Sequence, residues 1–452
     1  MISSASQRSV ASRGFATFVV LWTIALAAIV VVALQSISHR QAAAGRHAVA
    51  RVRAYWAARA GVEAQIAELT KDTLTPDQNS ALSLRDALAN AAIGTLAKGA
   101  ASYRVQHTRF PEVRDGALDA HSMININTVS AESLALVEDM DTGIAEALID
   151  WIDEDDEPEP NGAEEAQYAS IRSTYRPRNA PLRSLRELEL VLGVKPEYVR
   201  GEDWNLNGLL DPNEDDGDAT PPPDSADGRL DAGWSRHFTA VSDESAGPGY
   251  GLSGLPRLDL TDTTATDLSR RIGIDTTQAE TILNYVSNGG AMSDFLDTDL
   301  QSMGSTTGNL LSGGGPARPG VANLTIEQIG LLLDETFIPT ETGTPRSGRI
   351  NINSVDVQTL SYISELSSEQ IDALIAERDG RSDGFIRFTD LLDVPGFTRE
   401  TLAEIYPYLC VKSNVFVAVS RGRDEATGLE VEIVATLDRS KIPVIIKDLV
   451  VR

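Results

Sequence analysis

The sequence feature that most constrains the fold is an uncharged apolar run at residues 15–34, FATFVVLWTIALAAIVVVAL. A helix rises about 1.5 Å per residue and the hydrocarbon core of a bilayer is about 30 Å thick, so a helical run of this length can span it. No comparable run occurs in the rest of the sequence. The chain is therefore predicted to cross a membrane once, with its large remainder on one side.

The segment that follows the apolar run also predicts a helix. Residues 35–70 are rich in Ala and Arg and lack Pro, and their apolar side chains fall near one helical face. These apolar residues are Val52, Trp56, Val62, Ile66 and Leu69. A secretory signal peptide instead has an apolar core of about 7–15 residues followed by a cleavage site. The longer core and its helical continuation favour one extended helix over residues 15–70.

Composition narrows the function classes. The chain has 452 residues and a formal net charge of -27, which disfavours nucleic acid as a partner and favours divalent cations or basic proteins. The single cysteine, Cys410, permits no internal disulfide. The five histidines are scattered, and the glycine run at residues 313–315 lacks the Lys-Ser/Thr of a phosphate loop. We therefore do not expect an enzyme.

Strand patterns flank a long middle region. Residues 102–110 alternate apolar and polar side chains, as half-buried strands do. Residues 415–420, 431–437 and 444–451 predict three more strands, the first two joined by a turn at residues 423–428. The predicted fold class is α+β: a long helix and antiparallel strands, interrupted by a large, mostly helical insertion at residues 121–410.

The insertion contains an internal repeat near residues 124–150, 258–284 and 350–376. Each copy predicts an extended start, a capped helix, a tight turn and a second helix, and the first and third copies add a matching half that ends on Gly193 and Gly396. The pattern is similar to helix-hairpin-helix modules of DNA-binding competence proteins. Because the first hairpin, residues 138–141, is acidic, a scaffold for protein contacts is favoured over DNA binding.

The strongest local motif lies at residues 203–214. It matches the calcium loop of EF-hand proteins, in which oxygen ligands alternate with spacers and a glycine, here Gly208, permits a sharp turn. The predicted ligands are Asp203, Asn205, Asn207, the backbone carbonyl of Leu209, Asp211 and Glu214. The competing interpretation is an acidic turn without a metal, and Pro212 departs from a regular EF-hand pair.

Two other acidic segments are weaker calcium candidates. Residues 224–234 repeat part of the loop with Asp227 and Asp231 but lack the terminal bidentate Glu. The second segment contains Asp150, Asp153, Asp155, Asp156 and Glu164. Carboxylates this close repel one another unless a cation neutralises them, and the alternative is a solvated acidic loop.

The N-terminal junction resembles that of the prepilin class. In this class a prepilin peptidase cuts between Gly and Phe, here Gly14 and Phe15, which would make residues 1–14 a leader. Most members carry Glu at the fifth mature position, where this chain has Val19. A carboxylate in lipid is costly unless it is paired, for instance with a neighbouring subunit. The absence of this carboxylate suggests that no other subunit is stacked ahead of this one, which would place it at the tip of a fibre.

Residues 150–194 carry the most specific resemblance. They include Trp151-Ile-Asp-Glu-Asp-Asp-Glu-Pro158, Asn161-Gly-Ala-Glu164 and Tyr175-Arg-Pro-Arg-Asn-Ala-Pro-Leu182. Together these motifs resemble the minor pseudopilin K family of type II secretion systems (general secretion pathway protein K). The resemblance extends to the N-terminal helix, the first and third repeats and the C-terminal strands. The second repeat and residues 203–234 look like additions or divergent segments.

This resemblance implies a pilin-like fold, with residues 71–120 and 411–452 forming the pilin domain around the insertion. It also implies an inner-membrane anchor with the bulk of the chain in the periplasm. The partners would be two other minor pseudopilins in a tip complex, the major pseudopilin, and the secreted substrate or the secretin. Calcium would hold the loops of the inserted domain.

The distribution of positive charge weakly favours the opposite orientation, with the bulk of the chain in the cytoplasm. Two arginines, Arg8 and Arg13, precede the span, whereas five lie after it, between residues 40 and 59. The positive-inside rule would place the side with more arginines in the cytoplasm. The expected orientation therefore comes from the prepilin resemblance. The alternatives are a minor pilin of a type IV pilus or DNA-uptake system whose repeats contact DNA, and a membrane-anchored calcium-binding adhesin.

The prepilin resemblance makes a direct prediction about processing. In cells with a prepilin peptidase, mass analysis of the membrane-extracted protein should find a chain that begins at Phe15. Cells without the peptidase should retain residues 1–14. An intact Met1, or a cut beyond Leu34, under both conditions would exclude the pilin class.

Overall fold

A single long helix, α1 (Ala11–Leu74), begins the part of the chain that the computed structural model describes. The described residues are 11–110, 112–171, 174–221, 223–243, 247–303, 321–339 and 348–452. Among the helices of these residues, only α1 is long and apolar enough to cross a bilayer. Its apolar side chains at residues 15–34 are exposed, as expected of a segment that meets lipid. The predicted continuous helix is confirmed, and residues 1–10 of the predicted leader lie outside the described residues.

The last part of α1 packs on a seven-stranded antiparallel sheet, in the order β1-β2-β11-β12-β13, with β3 on β2 and β4 on β11. The strands are β1 (Ile93–Leu96), β2 (Ala101–Arg109), β3 (Glu112–Asp115), β4 (Leu118–Asp119), β11 (Val415–Asp424), β12 (Glu430–Asp438) and β13 (Ile445–Val451). Helix α2 (Ser83–Asn90) precedes β1. The four predicted strands correspond to β2, β11, β12 and β13, so the long helix and antiparallel sheet of the predicted fold class are confirmed.

Small residues allow α1 to contact the sheet backbone directly. Ala54 and Ala58 are fully buried, and a Cβ on Gly422 of β11 would lie 2.0 Å from the Ala54 carbonyl oxygen. A Cβ on Gly61 of α1 would likewise lie 2.2 Å from Ser420 Oγ. Since no side chain fits at these two glycines, the helix and the strand lie closer together than larger residues would allow.

The insertion is built from short helices. In the described residues they are α3 (Ala131–Leu134), α4 (Thr142–Ile152), α5 (Glu165–Ser170), α6 (Pro196–Arg200), α7 (Ala265–Ile272), α8 (Thr276–Ser287), α9 (Asp294–Asp297), α10 (Ile326–Glu335), α11 (Val357–Leu360), α12 (Ser368–Gly380) and α13 (Arg399–Ile405). Single 3-10 turns at Leu185–Leu190 and Phe388–Asp393 occupy equivalent places in the first and third copies. Gly193 and Gly396 follow these turns with φ of 88° and 87°, the left-handed conformation that favours glycine.

Each repeat copy is closed by a two-residue parallel strand pair. The extended start of each copy pairs with a segment that lies 30 or more residues beyond the copy. The pairs are β5 (Ile124–Asn125) with β6 (Phe238–Thr239), β7 (Leu258–Asp259) with β8 (Thr336–Phe337), and β9 (Ile350–Asn351) with β10 (Leu409–Cys410). The copies therefore form three closed helical units, whereas their kinship to helix-hairpin-helix modules stays a prediction.

The first and third copies share one hydrophobic core, which contains both Leu134 and Leu360. The second copy has its own core around Leu268, Ile282 and Phe295. Leu134, Leu268 and Leu360 stand at equivalent positions of the three copies, and all three are fully buried. The repeat pattern did not predict which copies pack together.

A carboxylate anchors the insertion to the sheet where the chain leaves and re-enters it. Asp119 at the end of β4 accepts hydrogen bonds through Oδ2 from Asn351 Nδ2 at 3.0 Å and from Ser413 Oγ at 2.7 Å. Ser354 donates to the same oxygen. One side chain thus joins the sheet, the third repeat and the segment that leads back into β11.

The helix–sheet contact predicts the effect of one substitution. Gly422→Val should destabilise the protein by about 2–3 kcal/mol, because its side chain would overlap backbone atoms of α1 that cannot move away. Gly45→Val is the control, since no atom lies within 4 Å of its Cβ position. Chemical denaturation of the detergent-solubilised chain measures both. Equal stability of the two variants would contradict the close packing.

Candidate cation-binding loops

The loop at residues 203–214 folds around the buried carboxylate of Asp203. Asp203 is 2% exposed; its Oδ1 accepts from Asn207 N at 3.0 Å and its Oδ2 from Gly208 N at 2.8 Å. Gly208 has φ of 69°, a left-handed turn that favours glycine. The sharp turn predicted at Gly208 is therefore confirmed.

Glu214 closes the same loop from its far end. It is 1% exposed, and its two oxygens accept from Trp204 N and Asp211 N, each at 3.0 Å. Both carboxylate oxygens thus point back into the loop. A terminal Glu in this orientation can chelate a cation with two oxygens.

The remaining predicted ligands lie between these two carboxylates. Asn205 and Asn207 donate from their side-chain nitrogens to Asp211 Oδ2 at 2.7 and 3.1 Å, and Asn207 Oδ1 accepts from Leu209 N at 2.7 Å. The loop therefore brings together all six predicted ligand residues. A cation would need the amide oxygens of the two asparagines, so binding requires their amides to turn.

The electrostatics of the loop suit a divalent cation. Burial raises the pKa of Asp203 to about 6. Burial, followed by the charges of Asp203 and Asp211, raises the pKa of Glu214 to about 7. Buried carboxylates that repel one another are stabilised by a cation among them, and oxygen ligands are those that calcium prefers. The donor set of this loop fits calcium.

A second group of buried carboxylates lies at the end of α4. Asp150 is fully buried and Glu164 is 4% exposed. Asp150 Oδ2, Asp153 Oδ1 and Glu164 Oε1 are buried without a hydrogen-bond partner. Burial, then the charges of Asp150, Asp153 and Asp156, raises the pKa of Glu164 to about 7. Buried acceptors usually have a partner, and a cation bound by these carboxylates would supply one.

Gly162 makes room for this group. A Cβ at Gly162 would lie 2.0 Å from Asp150 Oδ2, while Asp150 Oδ1 accepts from Glu159 N at 3.0 Å. The backbone at residues 159–162 therefore wraps the carboxylate of Asp150. Sequence reasoning did not single out Gly162, although it stands in the Asn161-Gly-Ala-Glu164 motif.

Asp155 and Asp156 lie at the exposed rim of this group. Asp155 Oδ1 accepts from Glu157 N at 2.9 Å, and Asp156 Oδ1 accepts from Asn179 Nδ2 at 3.0 Å. Neither is buried. Their part in metal binding stays a prediction that rests on sequence.

The weakest predicted ligands are both exposed. Asp227 and Asp231 accept only from nearby backbone nitrogens, those of Arg229 at 2.9 Å and Gly233 at 3.0 Å. This segment is held by Glu202, which sequence reasoning missed and which accepts from Ser225 N at 2.6 Å and Asp231 N at 3.2 Å. Calcium at Asp227 and Asp231 thus gains no support from the geometry.

Within the described ranges, no three His, Cys, Asp or Glu side chains are already gathered as a metal centre. Both loops would therefore draw on further oxygens, from asparagine amides, backbone carbonyls or water. Calcium sites commonly combine such ligands with carboxylates.

The first loop also contacts the sheet, which sequence did not reveal. Arg421 of β11 pairs with Asp211 and, at 2.9 Å, with Glu432 of β12. Glu432 Oε2 accepts from Asn207 Nδ2 at 3.1 Å. The only available signal was strand alternation, which places Arg421 and Glu432 on one sheet face but cannot name the loop they meet.

An aromatic cluster holds residues 150–194 together beside the second group. The rings of Trp151 and Tyr168 lie 5.6 Å apart, and Tyr168 OH accepts from Leu192 N at 2.9 Å. Arg178 pairs with Glu187 in the same unit. The most specific sequence motifs thus form one packed body around Asp150 and Glu164.

The predicted processing residues lie elsewhere, in the first turns of α1. Phe15 is 71% exposed, and Gly14 precedes it in the helix. Their processing stays a prediction.

A family model matches one part of the chain. Residues 128–201 match the model of "Type II secretion system (T2SS), protein K", first domain. This range contains residues 150–194, which carried the resemblance, and the family predicted from sequence is confirmed. A search of curated proteins gave no match.

One similar solved structure is the crystal structure of the GspK-GspI-GspJ complex from the enterotoxigenic Escherichia coli Type 2 Secretion System. The matched chain is 14% identical, with 91% of this chain and 99% of that chain covered and a TM-score of 0.45.

The raised pKa of Glu164 predicts how stability depends on pH without calcium. The folded carboxyl keeps its proton to about pH 7, whereas an unfolded Glu loses it near 4.5. The folded state thus binds more protons between these values, and stability falls as pH rises through them. Glu164→Gln in EDTA should remove on the order of 2–3 kcal/mol of this fall, measured by denaturant unfolding at pH 4.5 and pH 8.

The neighbouring Glu165→Gln is the control, because Glu165 is exposed and its ion pair with Arg176 is exposed as well. This variant should keep the wild-type pH dependence. If Glu164→Gln also kept it, Glu164 would not be a buried, uncompensated carboxyl.

Proposed function

We propose that this chain, a member of the type II secretion system protein K family, acts as a minor pseudopilin at the tip of the pseudopilus. The observation that carries the proposal is the family match at residues 128–201, on the packed body around Asp150 and Glu164. The apolar first half of α1 supplies a single membrane anchor, and its second half carries the sheet. The protein would start pseudopilus assembly for export across the outer membrane.

The architecture supports a place at the tip. A fibre of this kind packs the helices of successive subunits, and a subunit inside it needs neighbours above and below. The insertion at residues 121–410 is far larger than the sheet that carries it, and would obstruct a subunit stacked against it. Val19 offers no carboxylate for a subunit ahead. Both features favour a terminal position. In that position the bulk of the chain would lie in the periplasm and the apolar half of α1 in the inner membrane.

The partners would be two other minor pseudopilins in a tip complex and the major pseudopilin below it. The exposed apolar residues Val49, Val52 and Trp56 on α1 lie beyond the membrane span and are available for helix packing. The secreted substrate or the secretin would meet the insertion. We infer no enzymatic role.

Calcium would be bound by Asp203, Asn205, Asn207, Leu209 O, Asp211 and Glu214, and in a second site by Asp150, Asp153 and Glu164. When bound, it would neutralise buried carboxylates and hold both loops. Its role is structural: the first loop touches the sheet through Arg421, and the second supports the aromatic cluster.

The test is reconstitution of the tip complex. The full chain and the two other minor pseudopilins of the same system are co-expressed, and the complex is purified from membranes in detergent by a tag on one partner. We expect co-purification in calcium and a lower yield in EDTA. Glu214→Gln and Asp150→Asn should each weaken the calcium effect, and the exposed Glu430→Gln should not.

Failure of the wild-type chain to co-purify in either condition would refute the tip role. If neither EDTA nor the two variants change the yield of the complex, the tip role would stand and the structural role of calcium would be refuted. Co-purification with type IV minor pilins instead would favour the alternative pilus assignment.

A further inference from the structure

The loop at residues 203–214 lies against the sheet face opposite α1. Gly422 of β11 meets α1, so strand alternation turns its neighbour Arg421 to the other face. There Arg421 donates from Nη2 to Asp211 Oδ1 and from Nε to Glu432 Oε2, the latter at 2.9 Å. The side chains of Arg421 and Asp211 are 31% and 17% exposed. Because this pair is partly shielded from water, its attraction is stronger than that of a fully exposed pair.

A second arginine reaches the loop from the end of β13. Arg452, directly after this strand, donates from Nη1 to Asn205 Oδ1 at 3.1 Å and to Glu432 Oε1 at 3.3 Å. Glu432 Oε2 also accepts from Asn207 Nδ2 at 3.1 Å. One carboxylate of β12 thus gathers both guanidiniums and one loop amide.

These contacts use the side chains that calcium would need as ligands. Asp211 Oδ1 accepts from Arg421, and Asn205 Oδ1 accepts from Arg452. Turning the amide oxygen of Asn207 toward a cation would take its nitrogen away from the sheet. Each of these three links between loop and sheet therefore ends on a predicted ligand residue.

Two other arginines hold the loop in a different way. Arg186 and Arg200 donate to the backbone carbonyls of Asn205 and Trp204, at 2.7 and 2.6 Å. Neither carbonyl is a predicted ligand. These two guanidiniums fasten the loop without occupying an oxygen that calcium would need.

Charge adds to the competition for oxygens. A guanidinium hydrogen-bonded to Asp211 stays close to any cation that this residue binds, and like charges repel in a partly buried site. The guanidinium also supplies part of the counter-charge that a cation would otherwise bring. Both effects lower the affinity for calcium. Because coupling between two binding events is reciprocal, bound calcium weakens the contact between loop and sheet by the same factor.

We propose that Arg421 and Arg452 compete with calcium for the loop at residues 203–214. The sheet thereby sets the calcium affinity of the loop, and calcium loosens the loop from the sheet. This inference rests on the calcium binding proposed above for the same loop, and it adds that distant residues of the sheet regulate that binding.

The test is a calcium titration of the full chain in detergent by isothermal titration calorimetry. The heat of this loop is the part that Glu214→Gln removes. Arg421→Gln should lower the Kd of this part about tenfold, and Arg452→Gln should lower it by a smaller factor because its bonds to the loop are longer and more exposed. A variant that merely disrupted the loop would bind calcium more weakly, so a gain in affinity distinguishes competition from lost structure.

Two controls separate direct competition from a general change in charge. Arg423→Gln removes a charge from the same face of β11, two residues further on, where Arg423 pairs with exposed Glu430. This variant should keep the wild-type affinity. Arg421→Lys retains the cation and should stay closer to the wild type than Arg421→Gln does.

Two results would overturn the proposal while leaving calcium binding in place. One is wild-type affinity in both Arg421→Gln and Arg452→Gln, and the other is an equal gain in Arg423→Gln. If Glu214→Gln removed no heat from the wild type or from either arginine variant, calcium binding at this loop would itself be refuted, and the competition with it.

Discussion

The structure depends on the contact between α1 and β11, where the part of the helix beyond the membrane span packs closely against the strand. Gly422 and Gly61 remove the Cβ atoms that would separate the two backbones, and Ala54 and Ala58 complete the surface. Such close approach maximises dispersion contacts along a narrow stripe. It leaves the opposite face of the sheet free to carry the insertion.

The insertion leaves a small sheet and rejoins it nearly 300 residues later, so its ends must be held together at the sheet. Three two-residue parallel pairs close its repeat units, and Asp119 ties the exit and return segments together. Closing a long loop at its base limits the entropy that its ordering costs. Inside the first unit, several carboxylates are buried and short of a counter-charge, among them Asp150 and Glu164.

Much of the candidate site could be predicted because its signals are local. Asp203, Gly208 and Glu214 stand at fixed offsets in one short segment, so their order along the chain already implies the turn that the structure contains. The sequence also showed that the carboxylates form two separate groups, at residues 150–164 and 203–214. It did not show which carboxylates are buried. Asp150 and Asp155 stand in the same acidic segment, yet Asp150 is enclosed by the backbone near Gly162 and Asp155 is exposed. Contacts such as Arg421 with Asp211, about 210 residues apart, leave no local pattern.

The sequence by itself determined the long apolar helix, the strands, the three repeats and the loop that resembles the calcium loop of EF-hand proteins. These features could be predicted because hydrophobic periodicity and turn residues act over a few neighbouring positions. Only the tertiary structure decided that the first and third repeats share a core while the second has its own. The tertiary structure alone decided which carboxylates are buried away from solvent. These outcomes depend on surfaces brought together from distant parts of the chain, where burial and charge are set by packing and not by sequence neighbours.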